Sequence, residues 1–222
     1  DVSFLTFPQS SPAVELYPYQ RDAVARIILS PNTLLAHDVG AGKTYIMIAA
    51  AMEMKRMGLA KKPLFVVPNN IVVQWKSIFL TLYPQADVLC VEPKTFTPKK
   101  RADVLEDIRD GDFDGIIMAY SCFEHITLSR AELQEQLEEM ARTMIHLLNF
   151  NASQATRRLK SQLDKTRKEI SAIAEGLEED IMPCFDELGI DRLFVDEAHN
   201  FKNIPLDTKI EGALGINSKG SK

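Results

Sequence analysis

Residues 34–44, Leu34-Leu35-Ala36-His37-Asp38-Val39-Gly40-Ala41-Gly42-Lys43-Thr44, read as an apolar run, a glycine-containing turn and the start of a helix. That order suits phosphate. Gly40 and Gly42 let the backbone N–H groups around Ala41 turn toward phosphate oxygens, and a helix opening at Lys43 presents its positive end to them. Lys43 then reaches the β- and γ-phosphates, and the Thr44 hydroxyl ligates Mg²⁺. The first glycine of the GxxxxGK[ST] pattern is missing, because His37 stands there. A glycine-rich turn that only resembles a phosphate loop is the competing reading. Far downstream, Leu193-Phe194-Val195 runs into Asp196-Glu197-Ala198-His199. An apolar strand that ends in two acids puts Asp196 at its tip, where a carboxylate holds Mg²⁺ through water, and lets Glu197 orient or deprotonate an attacking water. Two carboxylates there could instead open a solvated helix. The two motifs together favour the chemical reading, since both fall at strand ends where one Mg-nucleotide would need them.

Such motifs need a scaffold that gathers strand ends. Strand-sized apolar runs recur at 33–36, 64–67, 88–91, 116–119 and 193–195, with amphipathic helical patterns at 45–57, 71–82 and 102–109 between them. Nearly continuous apolar strands alternating with helices predict an α/β fold of three layers, α/β/α, around a mainly parallel sheet covered on both faces. From 129 to about 180 the pattern changes. Leu133, Leu137, Met140, Met144 and Leu147 form a heptad seam, Leu159, Leu163, Thr166, Ile170, Ile173 and Leu177 a second, and Asn149-Phe150-Asn151-Ala152-Ser153 a turn between them. The spacing predicts an inserted antiparallel helical hairpin reaching roughly 30 Å. It suits a spacer or a docking arm for a protein partner as well as a nucleic-acid contact. The expected organisation is an N-terminal extension over 1–14, a nucleotide-binding lobe over 15–128 resumed at 183–210, the hairpin at 129–182, and a polar tail at 211–222.

The 222 residues, 45% hydrophobic and 26% charged, can bury a sizeable core. A net charge of −5 excludes a uniformly basic nucleic-acid binder. The sign is uneven, however: between 53 and 101 nine bases meet three acids, which makes either a basic track or a solvated helix-and-loop surface. Cys90, Cys122 and Cys184 lie far apart without CxxC spacing, which disfavours disulfides and zinc and suits the cytoplasm. His125 and His146 have no partner spacing that suggests metal or catalysis. No apolar run approaches the ~20 residues a membrane span needs, and no signal pattern opens the chain, so no membrane partner is expected. Asp1 at the start and a polar, glycine-containing stretch at 212–222 suggest a piece of something longer.

Continued as Asn200-Phe201-Lys202-Asn203, the acid motif resembles the DEAH-x-x-K-N motif of Swi/Snf-like ATPases within helicase superfamily two. Other segments agree in order. Leu16-Tyr17-Pro18-Tyr19-Gln20 is similar to the family's L-x-P-Y-Q segment, whose glutamine reads the adenine edge, a role the resemblance passes to Gln20. Residues 36–44 look like A-D-E-M-G-L-G-K-T, which also lacks the first glycine, so the departure at His37 is a small one. Val66-Val67-Pro68-Asn69-Asn70-Ile71-Val72-Val73-Gln74-Trp75 resembles V-x-P-x-S-L-x-x-x-W, a segment that sits against one nucleic-acid strand. The resemblance implies contacts from Pro68, Asn69 and Asn70, the last replacing a serine; either residue can meet a phosphate, helped by the N–H groups of a helix start. Trp75, the only tryptophan, reads more simply as a core anchor. Met118-Ala119-Tyr120-Ser121-Cys122 resembles T-T-Y-x-x, which makes Tyr120 and Ser121 candidate strand contacts.

The resemblance covers 16–203 apart from the hairpin. It implies a RecA-like P-loop lobe that uses ATP and Mg²⁺ on nucleic acid, with a second RecA-like lobe of the same polypeptide supplying arginines to the site; DNA is the expected track, and the sequence itself leaves DNA or RNA open. Neither that lobe nor the S/T-x-T segment that usually follows the DEAH strand is found. His199 is implied to couple the ATP state to lobe closure. The expected function is the ATP-binding lobe of a DNA translocase or helicase-like motor, with Lys43 and Glu197 in the catalytic roles and negligible hydrolysis without the second lobe. A nucleotide-gated module that recruits a protein through the helical arm is the alternative. A P-loop kinase or metabolic ATPase fits worse, because of the Gln20 and Trp75 segments. Fusion to a methylase would fit the motor half, but no methyltransferase motif is present.

Overall fold

In the computed structural model, which describes residues 2–150, 161, 163–168, 170–171 and 182–201, the most apolar strands stand at the centre of the sheet. β1 (Pro63–Val67) and β3 (Gly115–Ala119) are buried at every position, whereas β2 (Val88–Val91) and β4 (Arg192–Val195) are partly open. The order is β2-β3-β1-β4 and every pairing is parallel. A strand covered on both faces offers no side to water, which is why these runs lack polar alternation. The class is α/β with a parallel sheet, as the sequence predicts.

In register, Val67 lies beside Ala119 and Val66 beside Val195, so β1, β3 and β4 end along one edge. Mid-strand, Phe65 stacks on Phe194 at 5.0 Å, meets Phe79 edge-on at 5.8 Å and tilts against Trp75 at 5.5 Å. Contacts of this kind contribute about 0.5–1.5 kcal/mol each beyond area burial. They leave no room at Gly115, where an added Cβ would sit 2.7 Å from the Phe79 ring.

The helices α2 (Lys43–Arg56), α3 (Val72–Leu82) and α4 (Arg101–Asp110) fall within two residues of the predicted patterns. A further helix, α1 (Pro18–Leu29), was not evident from periodicity. Its start explains it: Pro18 has φ preset for a first helical position, and the Gln20 side chain accepts the Tyr17 N–H at 2.9 Å. Both α1 and α3 pack on α2, whose Ala49, Ala50 and Ala51 are fully buried and admit close neighbours.

The direction of α2 is set at its far end. Lys55 donates to Phe113 O at 2.9 Å and pairs with Asp114 at 3.0 Å, immediately before β3 begins. The end of α2 therefore lies at the edge where the strands start. Its 14 residues, at about 1.5 Å each, carry its N-terminus roughly 20 Å back toward the edge where they finish. Nearby, Glu53 is 1% exposed and accepts from Arg56, from Thr6 N and from Phe7 N. Lys62 donates to the carbonyls of Ile108, Arg109 and Leu188, closing the end of α4. Part of the basic excess over 53–101 is thus structural rather than a track.

Two sequence expectations differ from the structure. The run 33–36 belongs to none of the four strands, and Leu34 is 82% exposed. Apolar and β-prone residues become a strand only where an unpaired edge takes up their backbone, so local propensity is overridden here. On α6 (Arg130–Phe150) the predicted seam is only partly covered: Leu133 and Met140 are exposed while Ala141 is buried. A straight helix drifts from a 3.5-residue repeat, which moves the covered face off the heptad positions. A short helix, α5 (Tyr120–Phe123), follows β3 directly. The helix α6 continues through Phe150, two residues into the segment read as a turn. The rest of that turn and much of the second seam lie outside the described residues; 163–168 are helical, with Leu163 and Thr166 buried. No helix among the described residues is long and apolar enough to cross a membrane.

Candidate functional site

Residues 36–40 are exposed, Val39 fully so, and 41–44 are half-buried. Gly40 and Gly42 adopt φ of 85° and 73°, the left-handed conformation that the loop requires and side chains resist. Gly42 is also the N-cap of α2 and brings no side chain to that end, so the first N–H groups of the helix have no capping side chain over them. Lys43 folds back across the loop: its Nζ donates to His37 O at 2.9 Å and Asp38 O at 3.1 Å. Ala41 N closes the turn on Asp38 O at 3.3 Å. Thr44 follows in the first turn of α2, half-buried.

Gln20, at the start of α1, is buried behind this loop. Its Nε2 donates to Ala41 O at 3.1 Å, and the Tyr19 hydroxyl donates to the same carbonyl at 3.1 Å. An ideal Cβ on Gly42 would lie 2.4 Å from Gln20 Nε2, so a side chain there would push the Gln20 carboxamide off the loop, and the φ of 73° is what asks for glycine. Tyr19 stacks on Tyr17 at 5.8 Å and meets His37 edge-on at 6.1 Å. This exposed aromatic pair beside the loop was not singled out from sequence; the Tyr-Pro-Tyr spacing was its only signal.

The acid pair sits at the tip of β4. Asp196 N donates to Val66 O at 2.9 Å, continuing the ladder with β1. Its carboxylate accepts Trp75 Nε1–H on Oδ2 at 3.1 Å and Glu197 N–H on Oδ1 at 3.0 Å, and its carbonyl accepts the Tyr120 hydroxyl. Glu197 has φ of 52°, unusual for a residue with a side chain, and its Oε2 lies 3.0 Å from His199 Nδ1. Across the β1 and β3 tips, Ser121 N donates to Asn69 Oδ1 at 3.1 Å. Pro68 is half-buried, and Asn69 and Asn70 are exposed in the turn that leads into α3.

Apart from the Asn69–Ser121 bond, hydrogen bonds draw candidate residues into two groups. One joins Gln20, Ala41 and Lys43 through the loop; the other joins Asp196, Glu197, His199, Tyr120 and, through Trp75, α3. Both lie toward the edge where the strands finish, the first carried there by α2 and the second by β4. A carboxylate oxygen offers about two lone-pair directions, and on Asp196 one direction of each oxygen is engaged. The remaining ones suit a hard cation or its water. Mg²⁺ is usually held by one or two protein groups together with phosphates and waters, and Asp196 with the Thr44 hydroxyl fits that donor set. Thiolate chemistry at Cys90 and Cys122 is disfavoured: burial pushes the Cys122 thiol up to about 11 and raises that of Cys90.

A family model described as "Probable helicase domain" matches residues 28–222. Among solved structures, the chain resembles a Sulfolobus solfataricus SWI2/SNF2 ATPase core in complex with dsDNA. The identity is 22% and the TM-score 0.40, over 49% of this chain and 22% of that one. No curated protein matches it.

Proposed function

The chain belongs to the probable helicase domain family, and we propose that it is the ATP-binding lobe of a nucleic-acid-dependent ATPase, a DNA translocase or helicase-like motor. What supports this reading is that Lys55 anchors the far end of α2 at Asp114, where the strands start, so that its 14 residues carry the glycine-turned start at Gly42–Lys43–Thr44 back toward the edge where Asp196 and Glu197 follow β4. That edge is the usual ligand side of open α/β sheets.

In this reading the N–H groups around Gly40, Ala41 and Gly42 and the start of α2 cradle the phosphates of ATP. Lys43 exchanges its bonds to the His37 and Asp38 carbonyls for phosphate oxygens, and Gln20 braces the loop while serving the adenine edge. Thr44 and Asp196 hold Mg²⁺, which when bound neutralises charge on the phosphates. Glu197 orients the attacking water and takes its proton, and His199, bonded to Glu197, relays the ATP state to a second lobe. Pro68, Asn69, Asn70, Tyr120 and Ser121 meet the backbone of a nucleic-acid strand, contacts that position without reading sequence. A second RecA-like lobe supplies arginines worth on the order of 10³–10⁵ in rate in comparable phosphoryl transfer, so this lobe alone turns over negligibly. The cytoplasm is the compartment this function implies.

The test is the ATPase rate of the protein bearing both lobes, with and without double- and single-stranded DNA, beside a Glu197→Gln variant. Stimulation by DNA, abolished in the variant, is the expected result. Hydrolysis indifferent to nucleic acid overturns the motor and favours a nucleotide-gated module that recruits a protein through α6, whose Leu133, Met140 and Ile145 are exposed.

A further inference from the structure

The indole of Trp75 is 2% exposed and packed on Phe65, which alone would make it a core anchor. A buried indole N–H must find an acceptor, and the one it finds is not a nearby carbonyl but a carboxylate oxygen 121 residues away, Oδ2 of Asp196. Every polar handle of Asp196 is engaged: N by Val66 O, O by the Tyr120 hydroxyl, Oδ1 by Glu197 N–H and Oδ2 by Trp75. Of the two bonds to the carboxylate, the Glu197 bond comes from the adjacent residue and moves with it. The Trp75 bond comes from a different element, and among the described residues it alone ties the carboxylate to the body of the fold.

The donor is itself held rigidly. Trp75 sits one turn into α3, and its ring leans on Phe65 of β1, which in turn stacks on Phe194 of β4, two residues before Asp196. Pro68, Asn69 and Asn70 lead into Ile71, the N-cap of α3. A rotation of α3 therefore changes the angle and length of one N–H···O bond to a carboxylate, a bond whose strength depends steeply on both.

We propose that Trp75 is a positioning residue for Asp196: its N–H fixes the carboxylate plane for Mg²⁺, and α3 thereby links the turn at 68–70 to metal affinity. This rests on the reading of Asp196 as a ligand of Mg²⁺ in an ATP site. Groups that orient a metal ligand typically change affinity about 10–100-fold when removed, and the lower end applies here because the Glu197 N–H bond remains.

Trp75 is the chain's only tryptophan, so its fluorescence reports on this bond without labels. In the 222-residue chain with a non-hydrolysable ATP analogue, Mg²⁺ is expected to shift Trp75 emission saturably and Mn²⁺ to quench it, with both effects lost in Asp196→Asn. In Trp75→Phe, which keeps an aromatic ring and lacks the donor, a fluorescent ATP analogue is expected to bind unchanged without metal while half-saturating Mg²⁺ rises about tenfold. If that variant does not fold, 3-benzothienylalanine at position 75 keeps the ring shape, deletes the N–H and is held to the same outcome. An unchanged Mg²⁺ requirement overturns the proposal, and so does an equal loss of nucleotide affinity with and without metal, the mark of a merely structural role. Both leave the ATP site standing. Failure of the wild-type chain to bind nucleotide at all overturns that reading and this proposal with it.

Discussion

The Gln20 carboxamide is bonded to the loop it is expected to serve: Nε2 donates to Ala41 O at 3.1 Å while Oε1 accepts the Tyr17 N–H at 2.9 Å. One side chain therefore caps α1 and braces the loop 21 residues later. Any group that displaces it disturbs both.

Gly42→Ala is such a displacement. The new methyl would sit on Gln20 Nε2, at a φ of 73° where a side chain already costs about 1–2 kcal/mol. Nucleotide affinity is expected to fall about tenfold or more, the equivalent of ~1.4 kcal/mol, and Gln20→Ala alone to give a smaller loss. Both are read from titration with a fluorescent ATP analogue, with circular dichroism to confirm that the fold is kept.

Arg56 and Arg109 each pair with an acid, but the acids differ. Glu53 is 1% exposed and depends on Arg56, whereas Asp110 is exposed at 67%. Leaving a buried carboxylate without its cation is costly, whereas an exposed pair adds little. Arg56→Ala should lower the urea midpoint clearly, and Arg109→Ala should leave it where it was. Equal effects would show that Glu53 is not held by Arg56.

Alkaline pH should destabilise the chain through two buried acids. Burial raises the Cys122 thiol from 9.0 to about 11, and burial together with the charge of Glu53 raises the Tyr83 hydroxyl above its usual 10.0. Groups raised in the folded state contribute stability that is fully present below their unfolded values and is lost as pH climbs toward the folded ones. The urea midpoint should therefore fall from about pH 9 upward, and less steeply in Cys122→Ala.

Tyr83 carries a second expectation. Its hydroxyl is buried without a hydrogen-bond partner among the described residues, and the residue borders a cavity of about 240 Å³ that Glu53, Lys55, Arg56 and Asp114 also line. Removing a buried polar group that has no partner costs little or relieves strain, so Tyr83→Phe should be neutral or stabilising by up to ~1 kcal/mol at pH 7. A loss of that size in the same urea titration would instead indicate water bound at the hydroxyl.

Glu197 holds φ at 52°, and residues forced into that region carry about 1 kcal/mol or more of strain. Asparagine tolerates it better. Glu197→Asn should thus stabilise the chain by roughly 0.5–1 kcal/mol while removing hydrolysis from the two-lobed protein, a stability gain made at the expense of function. Thermal unfolding and an ATPase assay together decide it.

Much of this was legible in residue order. The runs at 64–67, 88–91, 116–119 and 193–195 are strands because a parallel sheet covered on both faces asks for uninterrupted apolar residues. Gly40 and Gly42 were readable because only glycine takes a positive φ freely. The run 33–36 has the same composition and forms no strand, since composition carries no information about whether a neighbouring edge is there to pair with. The start of α1 was illegible for a similar reason: a single glutamine reaching back to Tyr17 leaves no periodic trace.

By itself, then, the sequence determined the α/β class, the four strands, the helices α2, α3 and α4, and the residue types at the loop and at the β4 tip, because local sterics and apolar periodicity act over a few neighbours. Only the tertiary structure decided that Trp75 would bond Asp196, that Asn69 would meet Ser121, and that Lys55 would anchor α2 at Asp114. Those pairs lie 52 or more residues apart, and they meet through strand order and register, which depend on the packing of the whole sheet rather than on any local stretch of chain.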